Sequence, residues 1–332
     1  MKKHNFFEYH DSFAINKDVI SQLKWGNELS DVPLVSICIP TFRRAQLLKE
    51  AIMSALQQRD FTNFEILIVD NDDEELCATE IVSYLNEFND SRIRYYINAK
   101  NIGVFGNWNR CIELALGEWM TILGDDDLLF DNYLSSLIHE LAVDKSLTRV
   151  ECRYQIFSDS QNITMSPKQQ RRYALSRKNI GDKCTVNYHM YLYSCYTMPH
   201  TQLYKRELAR QIGGFNPDYA PISDYVFNAM YLYKFPHAIF INHYLCGYRW
   251  AVNASQNRVV KAGLCRWNRA FRKFLLTKQP DLINRIFVAC LDHIELNLLG
   301  KKKSFAQRVV THLIYRFMLL LQVVVKAPSQ IA

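Results

Sequence analysis

From Val35 onward, short unbroken apolar runs alternate with stretches whose apolar residues recur every three or four positions. VSICI (35–39), closed by Pro40, has the length and continuity of a strand buried on both faces. Leu47, Leu48, Ala51, Ile52 and Ala55 then follow at helical spacing. FEILIVD (64–70) is a second buried strand, Thr79 to Phe88 a helix, RIRYYI (92–97) a third strand and Asn107 to Leu116 a further helix. EWMTIL (118–123) is a fourth strand, and it runs into three consecutive carboxylates, Asp125, Asp126 and Asp127. Such alternation predicts an α/β fold with a doubly wound, mostly parallel sheet.

The flanks are less regular. Residues 1–33 form an N-terminal arm, of which 1–31 is polar, weakly patterned and expected to be irregular. Between 150 and 205, strands are expected near Val150–Phe157 and Thr201–Tyr204, with a polar loop at 158–172. GGF (213–215) before NPDYAP is a strong turn signal, and ISDYVFNAMYLY (222–233) reads as a helix. Helical runs follow near 259–278 and 281–299, then KKK at 301–303 and an apolar run with basic punctuation at 305–326. The division is an arm (1–33), a main domain (34–255, in halves 34–130 and 131–255) and a basic helical C-terminal region (256–332).

Charge sharpens that division. Residues 241–332 hold 15 Lys/Arg against 3 Asp/Glu, whereas residues 1–240 hold 25 against 30, within a net charge of +7. A mildly acidic body with a basic tail points to an anionic partner for the tail. In the tail, Arg308, His312 and Arg316 form a stripe on an otherwise apolar helix. Its uninterrupted apolar stretch, Phe317–Leu321, falls far short of the ~20 residues a spanning helix needs. The pattern fits an in-plane anchor on an anionic membrane surface, with docking on the protein core as the alternative. Nine cysteines without a C-x-x-C pair fit reduced thiols better than disulfides or a zinc site. The first residues lack the apolar core of a signal peptide, so a cytoplasmic, peripherally attached protein is expected.

In an open parallel sheet, ligands bind outside the carboxyl ends of the strands. Three such ends carry distinctive polar groups, PTFRR (40–44), DNDD (70–73) and GDDD (124–127), which should line one crevice. A solvated turn with a helix-capping Asp would also accommodate the triplet. Three adjacent carboxylates also suit a divalent cation, since Mg2+ and Mn2+ take one or two carboxylates plus phosphate and water oxygens. Arg43 and Arg44 could approach phosphates, and Asp70, Asn71 and Asp72 a base or ribose. Far along the chain, Asp224 opens a helix, where it is either an ordinary cap or a general base for an acceptor hydroxyl.

Taken in order, VSICIPTFRRAQLLKEAIMSALQQ, FEILIVDNDD, NIGVFGNWNRCIELALGEW, MTILGDDDLL, GGFNPDYAPISDY and YRWAVNAS resemble family 2 of the GT-A-type glycosyltransferases, from about Leu34 to Ser255. The resemblance implies a GT-A fold and metal-dependent inverting transfer of a sugar from a nucleotide diphosphate donor, a UDP-sugar being favoured. It also implies Mn2+ or Mg2+, and a glycan or lipid-linked glycan acceptor in bacterial surface polysaccharide synthesis. Carried over by position, Pro40, Thr41 and Arg43 fall in the first nucleotide-contacting loop, and Asp70, Asn71 and Asn101 in nucleotide-sugar binding. Asp125 takes the ribose side, Asp126 and Asp127 the metal, and Asp224 the catalytic base. Gly124, Asn71, Ser223 and Trp108 depart from the residues commonest at their positions, Asp, a carboxylate, Glu and Arg respectively.

Competing classes explain less. A sugar-phosphate nucleotidyltransferase would open with a Gly-rich phosphate loop, and PTFRR has no glycine. A nucleic-acid-binding protein would use Trp250, Trp267 and Phe271 among the basic residues, but leaves the acidic crevice without a purpose. No nucleic-acid partner is therefore expected. A catalytically inactive relative would keep the fold, but nothing in the retained carboxylates suggests one.

Overall fold

The computed structural model of the protein describes residues 4–27, 31–158, 180–192, 197–250 and 258–299, with isolated positions between 166 and 178. A ten-stranded mixed sheet runs through the molecule. Its strands are β1 (Ser21–Trp25), β2 (Val35–Thr41), β3 (Phe64–Asp70), β4 (Ile93–Asn98), β5 (Trp119–Ile122), β6 (Leu128–Leu129), β7 (Arg149–Phe157), β8 (Lys183–Thr185), β9 (Gln202–Lys205) and β10 (Ala238–Arg249). The order is β1-β4-β3-β2-β5-β9-β7-β10-β6, with β8 also on β10. Pairs β4–β3, β3–β2, β2–β5 and β7–β10 are parallel, while β9 runs antiparallel between β5 and β7. The chain winds outward from β2 to β4 and then returns to place β5 on the other side of β2. That reversal opens a crevice at the carboxyl ends of β2 and β5, the topological switch point of such sheets.

Helices α1 (Ala45–Leu56), α2 (Ala78–Phe88) and α4 (Tyr133–Val143) pack on one face. The other takes α3 (Gly103–Leu114), α5 (Arg206–Gln211), α6 (Ser223–Lys234), α7 (Arg258–Lys278) and α8 (Leu282–Leu299). Strand alternation divides the core accordingly: Ile37, Ile39, Ile66 and Ile68 face the first layer, and Cys38, Leu67 and Val69 the second.

Two expectations need correction. The arm is not irregular throughout, because β1 pairs antiparallel with β4 and covers that sheet edge. Phe6 is 2% exposed and lies against Phe271 and Trp267 of α7, their ring centroids 5.1 and 6.1 Å away. An isolated FF pair in a polar stretch carries no period, so only its partners reveal the burial. In addition, α3 starts four residues before the expected Asn107. The Asn71 side chain accepts from Ile102 N at 2.9 Å and donates to Gly103 O at 3.4 Å, holding a first turn that its Gly and Val residues favour little. The loop at 158–172 falls largely, and the 305–326 helix wholly, outside the described residues. Among the described residues no helix is long and apolar enough to cross a membrane.

Candidate active site

The crevice begins with the turn from β2 into α1. Arg43 adopts φ +56°, a left-handed conformation that non-glycine residues enter at a cost of ~1 kcal/mol or more. The turn sends two neighbouring guanidinium groups in different directions. Arg43 Nε donates to Asp72 Oδ1 at 2.8 Å and its Nη2 lies 3.0 Å from Glu74 Oε2. Arg44 Nη1 reaches the acidic triplet instead, 3.2 Å from Asp125 Oδ1 and 3.0 Å from Asp126 Oδ2. Thr41 Oγ1 donates to Asp125 Oδ2 at 2.8 Å, which ties the ends of β2 and β5 together. Pro40 is buried within β2 beside Val69 of β3.

The triplet divides by direction. Asp127 N donates to Gly124 O at 3.0 Å, closing a tight turn. The Asp127 carboxylate turns into the protein, where Oδ1 accepts from Arg249 N at 2.9 Å and Oδ2 lies 3.1 Å from His200 Nδ1. Arg249 is anchored further by donating to Asp126 O at 2.8 Å and to Glu50 Oε2 at 2.6 Å. Asp125 and Asp126 are left facing Arg44. A Cβ at Gly124 would come within 2.8 Å of Asp127 Oδ2 and 3.1 Å of Asp126 Oδ1, so this arrangement favours glycine there. His200 and Arg249 were missed by sequence reasoning. A lone buried histidine gives no local signal, whereas Arg249 lay within the quoted YRW segment without a role.

The second polar strand end forms a separate network. Asp70 Oδ1 accepts from Asp72 N at 2.9 Å and its Oδ2 accepts from Tyr95 Oη at 2.8 Å. Asn71 donates to Asn101 Oδ1 at 2.7 Å and accepts from Asn98 Nδ2 at 3.2 Å, besides its bonds to the start of α3. Its amide is thereby saturated, so it shapes the wall of the crevice. Asn101 N in turn donates to Asp73 Oδ2 at 3.2 Å, linking this loop back to the end of β3. Trp108 packs edge-on to Phe105 and Phe215.

Burial dominates the electrostatics. The Asp125 carboxyl is pushed up to about 6 by burial and by repulsion from Asp126, against the pull of Arg44 and the Thr41 hydroxyl. Asp70 is likewise raised to about 6 by burial, opposed by the Tyr95 hydroxyl and the Asp72 amide. Burial and repulsion from Asp127 raise Asp126 as well. Asp125 and Asp126 are thus two partly desolvated carboxylates side by side, an arrangement that a divalent cation suits. Among the described residues no three Asp, Glu, His or Cys side chains are arranged to hold a metal by themselves. A bound ion would complete its shell with substrate phosphate and water oxygens, the usual habit of Mg2+.

Asp224 shares no hydrogen bond with this group. It lies in the first turn of α6, where the N-cap is Ile222. Because α6 precedes β10, which runs parallel to β7, its N-terminus points to the same carboxyl edge as the triplet; its C-terminus meets the start of β7, where Thr148 Oγ1 donates to Phe235 O at 3.2 Å. Burial raises the Asp224 carboxyl to about 6, against the backbone N–H groups of Tyr225 and of Asp224 itself. Such a carboxylate can take a proton near neutral pH.

The chain is similar in part to several known proteins. The chain is 34% identical over 161 residues to a putative colanic acid biosynthesis glycosyl transferase, WcaA, of Escherichia coli, covering 46% of this chain and 56% of that one. It is 37% identical over 110 residues to the GalNAc(5)-diNAcBac-PP-undecaprenol beta-1,3-glucosyltransferase of Campylobacter jejuni, covering 33% and 35%. The chain thus spans between a third and somewhat over half of these relatives' lengths. Among solved structures, the mannosyltransferase PcManGT from Pyrobaculum calidifontis, in complex with GDP-Man and Mn2+, matches with TM-score 0.54 at 16% identity, over 90% of this chain and 86% of that one. S. aureus TarS in complex with UDP-GlcNAc matches with TM-score 0.53 at 13% identity, over 86% and 90%. At those identities the likeness establishes the GT-A fold alone. The family model described as glycosyl transferase family 2 matches residues 36–213, just over half of the sequence and including all three polar strand ends, and the chain belongs to that family.

Proposed function

We propose that the protein is an inverting glycosyltransferase that moves a sugar from a nucleoside diphosphate donor onto an acceptor hydroxyl during synthesis of a bacterial surface polysaccharide. The observation that carries this reading is the joining of Thr41 at the end of β2 to Asp125 at the end of β5, which sets an acidic pair in the crevice of a family 2 fold. Asp126 is the metal ligand. Asp125, held by Thr41, receives the ribose; Asp70 and the Asn71–Asn101 wall shape the nucleoside end, with Pro40 and Arg43 framing the loop. Asp127, turned toward Arg249 and His200, orients the acidic turn. When bound, Mn2+ or Mg2+ neutralises charge on the departing diphosphate. Asp224 takes the proton of the acceptor hydroxyl as its oxygen bonds to the anomeric carbon. The bond from that carbon to the diphosphate breaks on the opposite face, and the nucleoside diphosphate leaves with the electron pair.

The names of several relatives support a lipid-linked acceptor. The Campylobacter protein is named for an undecaprenol-linked glycan, and an Escherichia coli relative, WfgD, for UDP-Glc and a GlcNAc-diphosphoundecaprenol. UDP-sugars are the favoured donors. The basic C-terminal region suits an anionic membrane surface, where such acceptors reside. The test is a panel of UDP-, GDP- and dTDP-sugars offered to the full chain with and without Mn2+, read by thermal shift and by nucleotide release onto a diphosphoundecaprenol-linked acceptor. Metal-dependent stabilisation by one nucleotide class with release of its diphosphate is the expected result. No stabilisation by any nucleotide sugar would overturn the reading.

A further inference from the structure

Two arginines, Arg44 and Arg249, touch the acidic triplet and a third, Arg43, stands beside them, and the three are held very differently. Arg249 is 6% exposed, donates to Asp126 O and Glu50, and has its guanidinium carbon 4.7 Å from the Phe157 ring centroid. Arg43 is pinned between Asp72 and Glu74. Among the described residues the Arg44 guanidinium makes its polar contacts through a single nitrogen, Nη1, which stands between Asp125 Oδ1 and Asp126 Oδ2, and its side chain is 37% exposed. No other hydrogen bond from its guanidinium is found among the described residues.

That nitrogen lies between Asp126, which would hold a divalent ion, and Asp125 beside it on the ribose side. Two partly desolvated like charges need a cation between them, and Arg44 supplies one from within the chain. A divalent ion entering the same pair would meet a fixed positive charge in contact with its ligands, which opposes its binding. The guanidinium has an alternative partner whenever a diphosphate is present, because its fork matches phosphate oxygens. Arg44 is the exposed partner, whereas the two carboxylates are only 10% and 13% exposed, so the guanidinium leaves most readily when another cation takes its place.

We propose that Arg44 is an internal counter-ion of the Asp125–Asp126 pair, and that the nucleotide diphosphate draws it off, so that metal and nucleotide bind in a mutually dependent way. The inference rests on the metal-and-diphosphate reading above and adds an order to it. Without nucleotide, Asp126 binds Mn2+ weakly because Arg44 competes; with nucleotide, Arg44 moves to the phosphates, leaving Asp126 to the ion and Asp125 to the ribose. Linkage requires the dependence to be reciprocal, so Mn2+ raises nucleotide affinity by the factor by which nucleotide raises that of Mn2+.

The experiment measures Mn2+ binding to the full chain by calorimetry and by the electron paramagnetic resonance of free Mn2+, without nucleotide and with saturating UDP. UDP binding is titrated with and without Mn2+. In Arg44→Gln, Mn2+ alone is expected to bind about tenfold more tightly than in the original protein, and UDP alone about tenfold more weakly. The coupling factor between them should fall yet stay above one, because the ion also meets the phosphates directly. Arg44→Lys, which keeps the charge, should restore weak binding of Mn2+ alone, an effect that a structural role for Arg44 would not produce. Equal or weaker affinity of Arg44→Gln for Mn2+ alone would overturn the counter-ion, even if both proteins bind Mn2+ normally with UDP. Absence of Mn2+ binding in every protein, with UDP present, would overturn the metal reading itself and this inference with it.

Discussion

Replacing Asp224 by Asn separates a catalytic carboxylate from a helix cap, because the two roles predict opposite changes in stability. The Asp224 carboxyl titrates at about 6 in the folded protein, raised from 3.8 chiefly by burial. The unfolded chain gives up that proton near 3.8, so between about pH 4 and 6 the folded state binds more protons. Stability therefore falls as pH rises through that window, and the loss is complete above about pH 6. At ~1.4 kcal/mol per pH unit the loss is about 3 kcal/mol, and the partial solvent contact of the side chain reduces it to about 1–3 kcal/mol. Asn keeps the shape and removes the charge. Calorimetric melts should therefore show Asp224→Asn more stable than the original protein at pH 8, by about 2–4 °C per kcal/mol, with the gap closing toward pH 4. Product formation should fall by about 100-fold or more while donor affinity is kept, since a base acts on the acceptor. Activity of the original protein should decline below about pH 6 as the base becomes protonated. A variant that melts below the original protein at pH 8 would show that the carboxylate stabilises the first turn of α6. Normal turnover with the true acceptor would place the base elsewhere.

Asp126→Ala should abolish the Mn2+-dependent part of nucleotide-sugar binding while leaving the melting temperature nearly unchanged; unaltered calorimetric affinity for the donor with Mn2+ would refute the assignment. Phe6→Ala removes a buried ring packed on α7 and should cost about 3–5 kcal/mol in denaturant unfolding, whereas an irregular arm would lose almost nothing. Truncation after Gly300 removes KKK and the basic-striped run at 305–326, and should leave a folded protein that no longer sediments with anionic liposomes at low salt. Early melting of the truncated chain would instead mark that run as part of the core.

The sequence by itself determined the elements whose partners are near in the chain. Strands β2, β3, β4 and β5 and helices α1 and α2 were legible because burial on both sheet faces makes continuous apolar runs, and burial on one side makes a helical stripe. The placing of the three polar strand ends together followed from the same rule, and Thr41 bonded to Asp125 and Arg43 to Asp72 join the first end to the other two. Family resemblance added Asp224, which no local pattern distinguishes from a cap. Tertiary structure decided the rest. The 12-residue β10 breaks its apolar run at Asn242 and His243, and it is held by β7, β8 and β6, which are distant in sequence. The turning of Asp127 away from Asp126 depends on His200 and Arg249, the latter 122 residues downstream. Likewise the divergence of Arg43 and Arg44 follows from one left-handed backbone angle and from acceptors in the loops that follow different strands. A period along the chain encodes which face is buried. It carries no record of which distant carboxylate a guanidinium will meet, because that is set by the fold that brings the two together.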